Sequence, residues 1–180
     1  MSAEKTGNVT PELVGFIRSQ FCLDWFGIHG ASHWARVRVN GLQLARTTGA
    51  NVKVVELFAF LHDAQRQNDG RDPEHGERGA GLARELNGQF FSLDRPELLL
   101  LEHACREHSN GGLEADATVQ TCWDADRLDL GRVGMTPDPK YLSTDVARRR
   151  ETIEWSHSRA VGEIIPQVIA DIWFQRGGPE

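Results

Sequence analysis

Helix signals follow one another along the chain, and this succession constrains the fold more than any other feature. Thr10 stands before Pro11, which is typical of a helix N-terminus because threonine can cap free amides and proline fits the first helical position. Ser32 and Asn51 are expected to cap the second and third helices. No segment alternates with the period of a strand. The predicted helices cover about 11–25, 33–47, 51–65, 75–86, 94–110, 115–130 and 144–176.

The pattern therefore predicts an all-α fold, a bundle of about six to eight helices. Pro166 should kink or break the last helix, because proline lacks the amide that an inner turn needs. At 180 residues the chain is interpreted as a single domain, with a core of about 10–176 and loose tails at 1–8 and 177–180.

Composition excludes several classes of function. No apolar run approaches the roughly 20 residues that span a bilayer, and the polar start lacks the order of a signal peptide, so a cytoplasmic protein without a membrane role is expected. A net charge of −6 argues against stable nucleic-acid binding. Seventeen of the 20 basic residues are arginine, which suits phosphate recognition, although a codon preference explains this equally well.

The cysteines do not indicate a disulfide framework. There are three of them, widely spaced and without a CxxC motif. Cys22, Cys105 and Cys122 all lie in apolar stretches and are expected to be buried thiols.

The strongest chemical signal is a His-Asp pair that directly follows an apolar segment. His62-Asp63 comes after 52–61, so both side chains should lie near the core, where unpaired polar groups are costly. In a chain of this length and composition, about 0.5 His-Asp dipeptides are expected by chance, so the pair alone is weak evidence. His33 on an earlier helix and the acidic stretch 124–129 on a later one strengthen it.

Two imidazoles and two carboxylates from three helices suit a divalent ion such as Mn, Fe, Co, Ni, Zn or Mg. Which aspartate of the later helix takes part is open, because Asp124 and Asp126 point about 200° apart and only one can face the ion. Asp129 lies one turn after Asp126 on roughly the same face, and Asp124 is expected to face solvent or to orient a ligand histidine.

The order of these residues resembles a known family. His33, then His62-Asp63, then Asp126 within Ala-Asp-Arg-Leu is similar to the HD-domain superfamily of metal-dependent phosphohydrolases, over roughly residues 26–134. The segments 29–36 and 57–66 are similar to an uncharacterised bacterial subgroup of it. The resemblance implies a compact HD-domain helical bundle, a metal held by those four side chains, and hydrolysis of phosphate esters or nucleotides.

Further residues are candidates for the same site. Asp63 is expected to orient the attacking water as well as to bind metal, and Asp69 is a candidate general acid or base. Because they lie one turn from Asp63 or His33, two arginines are candidates for binding substrate phosphate. Three more histidines are candidates for substrate contact or for a second metal. The substrate-binding candidates are Arg36, Arg66, His75, His103 and His108.

The sequence thus predicts a metal-dependent phosphohydrolase that acts on a small phosphorylated substrate, with a nucleotide expected, through metal-activated water. Two alternatives stay open: a di-iron oxygenase with the same fold, and a domain that binds a nucleotide or phosphate without turnover. The native metal, the number of ions, the substrate and whether the chain forms a homodimer are not determined by these patterns.

Overall fold

Residues 8–165 are described by the computed structural model, and within this range the protein is almost entirely helical. The all-α prediction is therefore confirmed. Two short 3-10 turns, Leu130–Val133 and Pro139–Tyr141, follow the sixth helix. The helices are α1 (Pro11–Gln20), α2 (Ala31–Thr48), α3 (Val52–Leu61), α4 (His75–Leu86), α5 (Arg95–Glu107), α6 (Ala117–Arg127) and α7 (Arg150–Val161).

The apolar segment that precedes the His-Asp pair forms α3, at the centre of the molecule. Every residue from Val54 to Leu61 is buried, and α2, α4, α5 and α6 pack around the helix. Asn51 caps it as predicted, by accepting from the amides of Lys53 and Val54. The helix ends at Leu61 rather than near Gln65. His62 and Asp63 therefore lie at its buried C-terminal end.

The start of α2 differs from the prediction, because Gly30 and not Ser32 is the N-cap. The amide of Ala31 donates to the carbonyl oxygen of Trp25 at 2.8 Å, so the preceding loop folds back tightly onto the helix start. A Cβ at position 30 would lie 2.2 Å from that same oxygen. Only glycine fits this close approach, and it fixes where α2, which carries His33, begins.

The last described helix is shorter than predicted. α7 begins at Arg150 and not near Thr144. The carboxylate of Asp124 accepts hydrogen bonds from the amides of Ser143 and Thr144 at 2.7 and 2.8 Å, which holds this segment as a turn against α6. Pro166 and the rest of the predicted helix lie outside the described residues.

Most of the predicted tails also lies outside the described residues. Of these positions only Asn8 is described, and it is not loose. Its amide and side chain both donate to Glu56, a buried carboxylate of α3, at 3.1 and 2.7 Å. No helix among residues 8–165 is both long and apolar enough to cross a bilayer.

Two of the three cysteines are buried as predicted, and one is not. Cys105 and Cys122 lie in the core, and burial raises the pKa of the Cys105 thiol. Cys22 is exposed, because α1 ends at Gln20 and the following residues form a surface loop. The first helix was predicted to continue to residue 25, but it ends at Gln20.

Candidate metal centre

The four side chains predicted as metal ligands lie together at the ends of three helices. The Nε2 atoms of His33 and His62 are 3.2 Å apart. Oδ1 of Asp126 lies 3.3 Å from Nε2 of His33 and 3.7 Å from Nε2 of His62. Oδ2 of Asp63 is within 3.8 Å of both histidine nitrogens. α2, α3 and α6 thus bring His33, His62 and Asp126 into one group whose donor atoms lie within 4.8 Å of each other, and Asp63 lies beside it.

The distances among His33, His62 and Asp126 are close to the edges of a metal coordination shell, whereas the distances from Asp63 to the two histidines are longer. Donor atoms that bind an ion at about 2.1 Å in an octahedral or tetrahedral shell lie roughly 3.0 to 3.4 Å from each other. The imidazoles of His33 and His62 are fully buried, so two lone pairs facing each other would repel without a cation or proton between them. The arrangement fits a divalent ion.

The hydrogen bonds of the two histidines support the same interpretation. Nδ1 of His33 donates to Oδ2 of Asp129 at 2.7 Å, and Nδ1 of His62 donates to the carbonyl oxygen of Phe58 at 3.1 Å. With the proton on Nδ1, each Nε2 presents a lone pair to the centre. Histidines that bind metals usually donate their other ring nitrogen in this way.

A second cluster adjoins the first through Asp63. Oδ1 of Asp63 lies 3.3 Å from Nε2 of His75 and 3.5 Å from Nε2 of His108, and those two nitrogens are 2.9 Å apart. Both imidazoles are buried. The two oxygens of Asp63 therefore face different groups of histidines, an arrangement that could hold two ions on either side of one carboxylate.

The outer nitrogens of the second pair are also bound to acceptors. Nδ1 of His108 donates to the carbonyl oxygen of Cys105 at 2.7 Å, and Nδ1 of His75 donates to the carbonyl oxygen of Asp72. Both Nε2 atoms thereby face the interior of the cluster, where Nε2 of His75 lies 3.2 Å from Nη1 of Arg66 and Nε2 of His108 lies 3.5 Å from Asp63. His75 opens α4 and His108 caps the end of α5, so the cluster depends on how these two helices meet.

The electrostatics of the site favour neutral His62 and ionised aspartates. Burial lowers the pKa of His62 to about 3. Burial alone would raise the pKa of Asp63, but the His62 and His108 imidazoles hold it well below its usual value. Burial opposes the shift, but the pKa of Asp126 is likewise lowered, chiefly through its contact with His33. A neutral His62 and ionised aspartates are the states that metal binding requires. Burial lowers the pKa of His108, but the hydrogen bond and charge of Asp63 outweigh it and raise this pKa, so without a metal His108 pairs with Asp63.

One side of the centre is open to solvent. The side chain of Asp126 is 17% exposed, whereas His33 and His62 are fully enclosed. Nearby, Nδ1 of His29 is 2.9 Å from Oδ1 of Asp69, whose side chain is 55% exposed. Burial lowers the pKa of His29, and the carboxylates of Asp69 and Asp63 oppose that shift. Asp69, the candidate acid or base, therefore lies at the rim, paired with a histidine.

The two candidate phosphate-binding arginines have different surroundings. Arg36 is buried and held by Asp129, with Nε at 2.7 Å from Oδ1 and Nη2 at 3.2 Å from Oδ2. Because two of its nitrogens are bound to Asp129, Arg36 is poorly placed to bind a substrate phosphate. Arg66 lies beside the second cluster, with Nη1 at 3.4 Å from Oδ1 of Asp63 and 3.2 Å from Nε2 of His75.

The open choice between two aspartates of α6 is decided by the packing. Asp126 faces the centre, whereas Asp124 is buried and accepts from Ser143 and Thr144, including the Thr144 hydroxyl at 2.7 Å. Asp124 neither faces solvent nor orients a histidine. The residue that orients His33 is Asp129, which sequence reasoning placed on the right face but without a role.

His103, a candidate for the same site, is not brought to either cluster. It is exposed on α5, and its ring lies edge-on to Trp123 with centroids 5.7 Å apart. Residues five positions apart on a helix point about 140° apart. Since His108 faces the buried cluster, His103 must face away from it.

Comparison with known proteins gives one related structure. No protein-family profile matches the chain, and no curated protein does. The crystal structure of a predicted HD superfamily hydrolase from an uncultured Thermotogales bacterium superposes with a TM-score of 0.66. It is 26% identical, and the match covers 88% of this chain and 91% of that chain. The similarity therefore extends over most of the molecule.

Proposed function

Since this chain belongs to the HD superfamily, we propose that it is a metal-dependent phosphohydrolase that acts on a nucleotide or another small phosphate ester. The observation that carries the proposal is the meeting of His33, His62 and Asp126, whose donor atoms are spaced nearly as in a coordination shell, with Asp63 within 3.8 Å of both histidines. In this proposal these four side chains hold a divalent ion, with Mn, Ni, Co, Fe, Zn and Mg as candidates.

The ion, when bound, would lower the pKa of a water molecule and polarise a phosphoryl oxygen. Asp63 would orient that water and accept its proton, since its two oxygens face both clusters. Arg66, 3.4 Å from Asp63, would offset charge on the phosphoryl group as it is transferred. Asp69, with His29 at the rim, would donate a proton to the leaving group.

Arg36 has a different role in this proposal. Its guanidinium donates to both oxygens of Asp129 and holds that carboxylate in place to accept from His33. It therefore positions a ligand and does not contact substrate. His75 and His108 would either hold a second ion with Asp63 or contact the substrate directly.

The proposal predicts that His62→Ala and Asp63→Ala each abolish hydrolysis of p-nitrophenyl phosphate. Removal of a metal ligand should lower kcat/KM by at least about 100-fold, because both the ion and the water are lost. Turnover would be measured with each of several divalent ions, and circular dichroism would show whether the helical fold survives.

The matched control is His103→Ala, which removes an exposed histidine that lies outside both clusters. It should retain wild-type turnover. Activity retained in both His62→Ala and Asp63→Ala would rule out the metal mechanism. Wild-type protein that binds metal and nucleotide tightly but hydrolyses neither nucleotides nor p-nitrophenyl phosphate would favour the non-catalytic alternative.

A di-iron oxygenase is the second candidate, and the carboxylate of Asp63 between two histidine pairs favours it over other enzyme classes. The two candidates differ in their metal content. Two irons per chain after aerobic purification, with oxygen consumption and no phosphate release, would support oxidation. Hydrolysis that follows Mn, Ni, Co or Mg would support the phosphohydrolase.

A further inference from the structure

A small cavity adjoins the second histidine cluster on the side away from His33. It measures about 300 Å³, which is the lower end for ligand pockets and has room for on the order of ten water molecules. A phosphate group fits this volume. Its lining residues are Arg66, Arg71, Asp72, Pro73, His75, Ser109 and Asn110, and we call it the Arg71 cavity.

The Arg71 cavity and the proposed reaction centre share His75 and Arg66 as the side chains between them. This histidine lines the cavity, and its Nε2 lies 3.3 Å from Oδ1 of Asp63. Arg66 lies at the same boundary, 3.2 Å from His75. A substrate with one phosphoryl group beside Asp63 would place a neighbouring group in this cavity on the other side of these two side chains.

The charged groups of the cavity are paired, with one exception. Oδ2 of Asp72 accepts from Nη2 of Arg78 at 2.5 Å and from the amide of Gln67 at 2.9 Å, so its charge is offset. Arg66 donates to the carbonyl oxygen of Gly70 at 2.8 Å and approaches Asp63. Arg71 is exposed and has no hydrogen-bond or ion-pair partner among residues 8–165.

A free guanidinium at the wall of a small polar cavity attracts an anion. Its planar fork can hold two oxygens of one phosphate, and charge-assisted hydrogen bonds of this kind are stronger than neutral ones. Ser109 adds a hydroxyl and Asn110 an amide at the same wall, and both groups can donate to phosphate oxygens. The lining therefore suits a compact anion better than an apolar group.

We propose that the Arg71 cavity is a subsite for a second phosphate group of the substrate, and that Arg71 is its specificity-determining cation. The inference rests on the proposed phosphohydrolase function and narrows it to substrates that carry two phosphate groups close together, as diphosphates and vicinal bisphosphates do. A simple monoester fills only the reaction centre and leaves Arg71 unused.

The test compares two ligands that differ by one phosphonate, methylenediphosphonate and methylphosphonate, which the enzyme cannot hydrolyse. Binding is measured by isothermal titration calorimetry with manganese in excess, for wild type, Arg71→Gln and Arg71→Lys. Loss of one charge-assisted contact should weaken diphosphonate binding roughly tenfold or more in Arg71→Gln, with a smaller loss in Arg71→Lys. Methylphosphonate binding should change by less than about twofold.

The matched control is Arg46→Gln, an exposed arginine near the far end of α2, about 20 Å along the helix from His33. It should bind both ligands as wild type does. Equal binding of the diphosphonate by Arg71→Gln and wild type, or an equal loss on both ligands, would overturn the inference. So would wild-type protein that does not prefer the diphosphonate.

The calorimetry does not depend on turnover, so the two proposals can fail separately. If p-nitrophenyl phosphate is not hydrolysed but diphosphonate binding depends on Arg71, the proposed function is wrong and the anion subsite stands. If p-nitrophenyl phosphate is hydrolysed but Arg71→Gln binds the diphosphonate normally, the function stands and the subsite is wrong.

Discussion

The carboxylate of Asp129 accepts hydrogen bonds from two buried side chains, His33 and Arg36. Oδ2 accepts from Nδ1 of His33 at 2.7 Å, and both oxygens accept from the guanidinium of Arg36. All three side chains are buried, so each interaction acts in a low local dielectric. The pairing fixes which nitrogen of His33 faces the centre and prevents the ring from turning.

At the residue scale we predict that Asp129→Asn lowers metal affinity by roughly 10- to 100-fold. The amide keeps the shape of the side chain but removes the charge that stabilises the Nδ1 proton of His33 and pairs with Arg36. Manganese binding would be followed by isothermal titration calorimetry.

Asp124→Asn is the control for this experiment, because Asp124 lies on α6 but binds the turn at Ser143 and Thr144. It should lower the melting temperature by weakening that turn and leave manganese affinity within about threefold of wild type, since metal binding does not involve it. Unchanged affinity in Asp129→Asn would contradict the positioning role.

At the scale of helices, the second cluster depends on the close crossing of α4 and α5. A Cβ on Gly76 would lie 2.5 Å from the carbonyl oxygen of Cys105 and 2.7 Å from that of Arg106. Only a residue without a side chain allows this approach. His75 precedes Gly76 directly, so the crossing is what brings its ring within 2.9 Å of His108.

Gly76→Ala should therefore destabilise the protein by about 1–3 kcal/mol, since the helices must move apart to admit the methyl group. The movement should also separate His75 from Asp63 and reduce binding of a second ion, with the first ion retained. Urea unfolding would measure the free energy, and elemental analysis the number of ions per chain.

Gly81→Ala provides the comparison on the same helix, because a Cβ there meets no atom within 4 Å. The higher helix propensity of alanine should make this variant more stable, by up to about 1 kcal/mol. A Gly76→Ala protein as stable as wild type and with the same metal content would show that the crossing tolerates a side chain.

At the scale of the whole molecule, the polar centre lies inside an apolar core. α3 is surrounded by other helices, and the two clusters at its end bring together four buried imidazoles and the carboxylate of Asp63. Such groups are costly to bury without a partner. An ion at the first cluster would bind α2, α3 and α6 to each other, so metal binding and folding should be linked.

We expect that a saturating divalent ion raises the melting temperature of the wild-type protein. At about 100 times the dissociation constant the stabilisation is about 2.7 kcal/mol, which corresponds to roughly 5–10 °C for a chain of this size. Differential scanning calorimetry with manganese and then with excess chelator would measure the shift. His62→Ala should lose most of it, and a wild-type melting temperature that does not respond to any of the candidate ions would contradict the metal centre.

The sequence by itself determined the helical class, several helix ends and the set of residues from which the centre is built. Thr10, Asn51 and Asp94 lie at N-caps because their side chains bind backbone amides a few residues away, which is a local interaction. The apolar run before His62 predicted a buried helix end for the same local reason. The selection of Asp126 over Asp124 came from the family resemblance and not from spacing.

Only the tertiary structure decided which helix faces meet. Helix periodicity shows that His103 and His108 point in different directions, but the packing of α5 against α4 decides that His108 is the one turned inward. Likewise, Arg36 donates to Asp129, which lies 93 positions away in the sequence. Asp124 accepts from the amide of Thr144, which lies 20 positions later. These contacts depend on the positions of whole helices relative to each other, which the local rules of caps and periodicity do not contain.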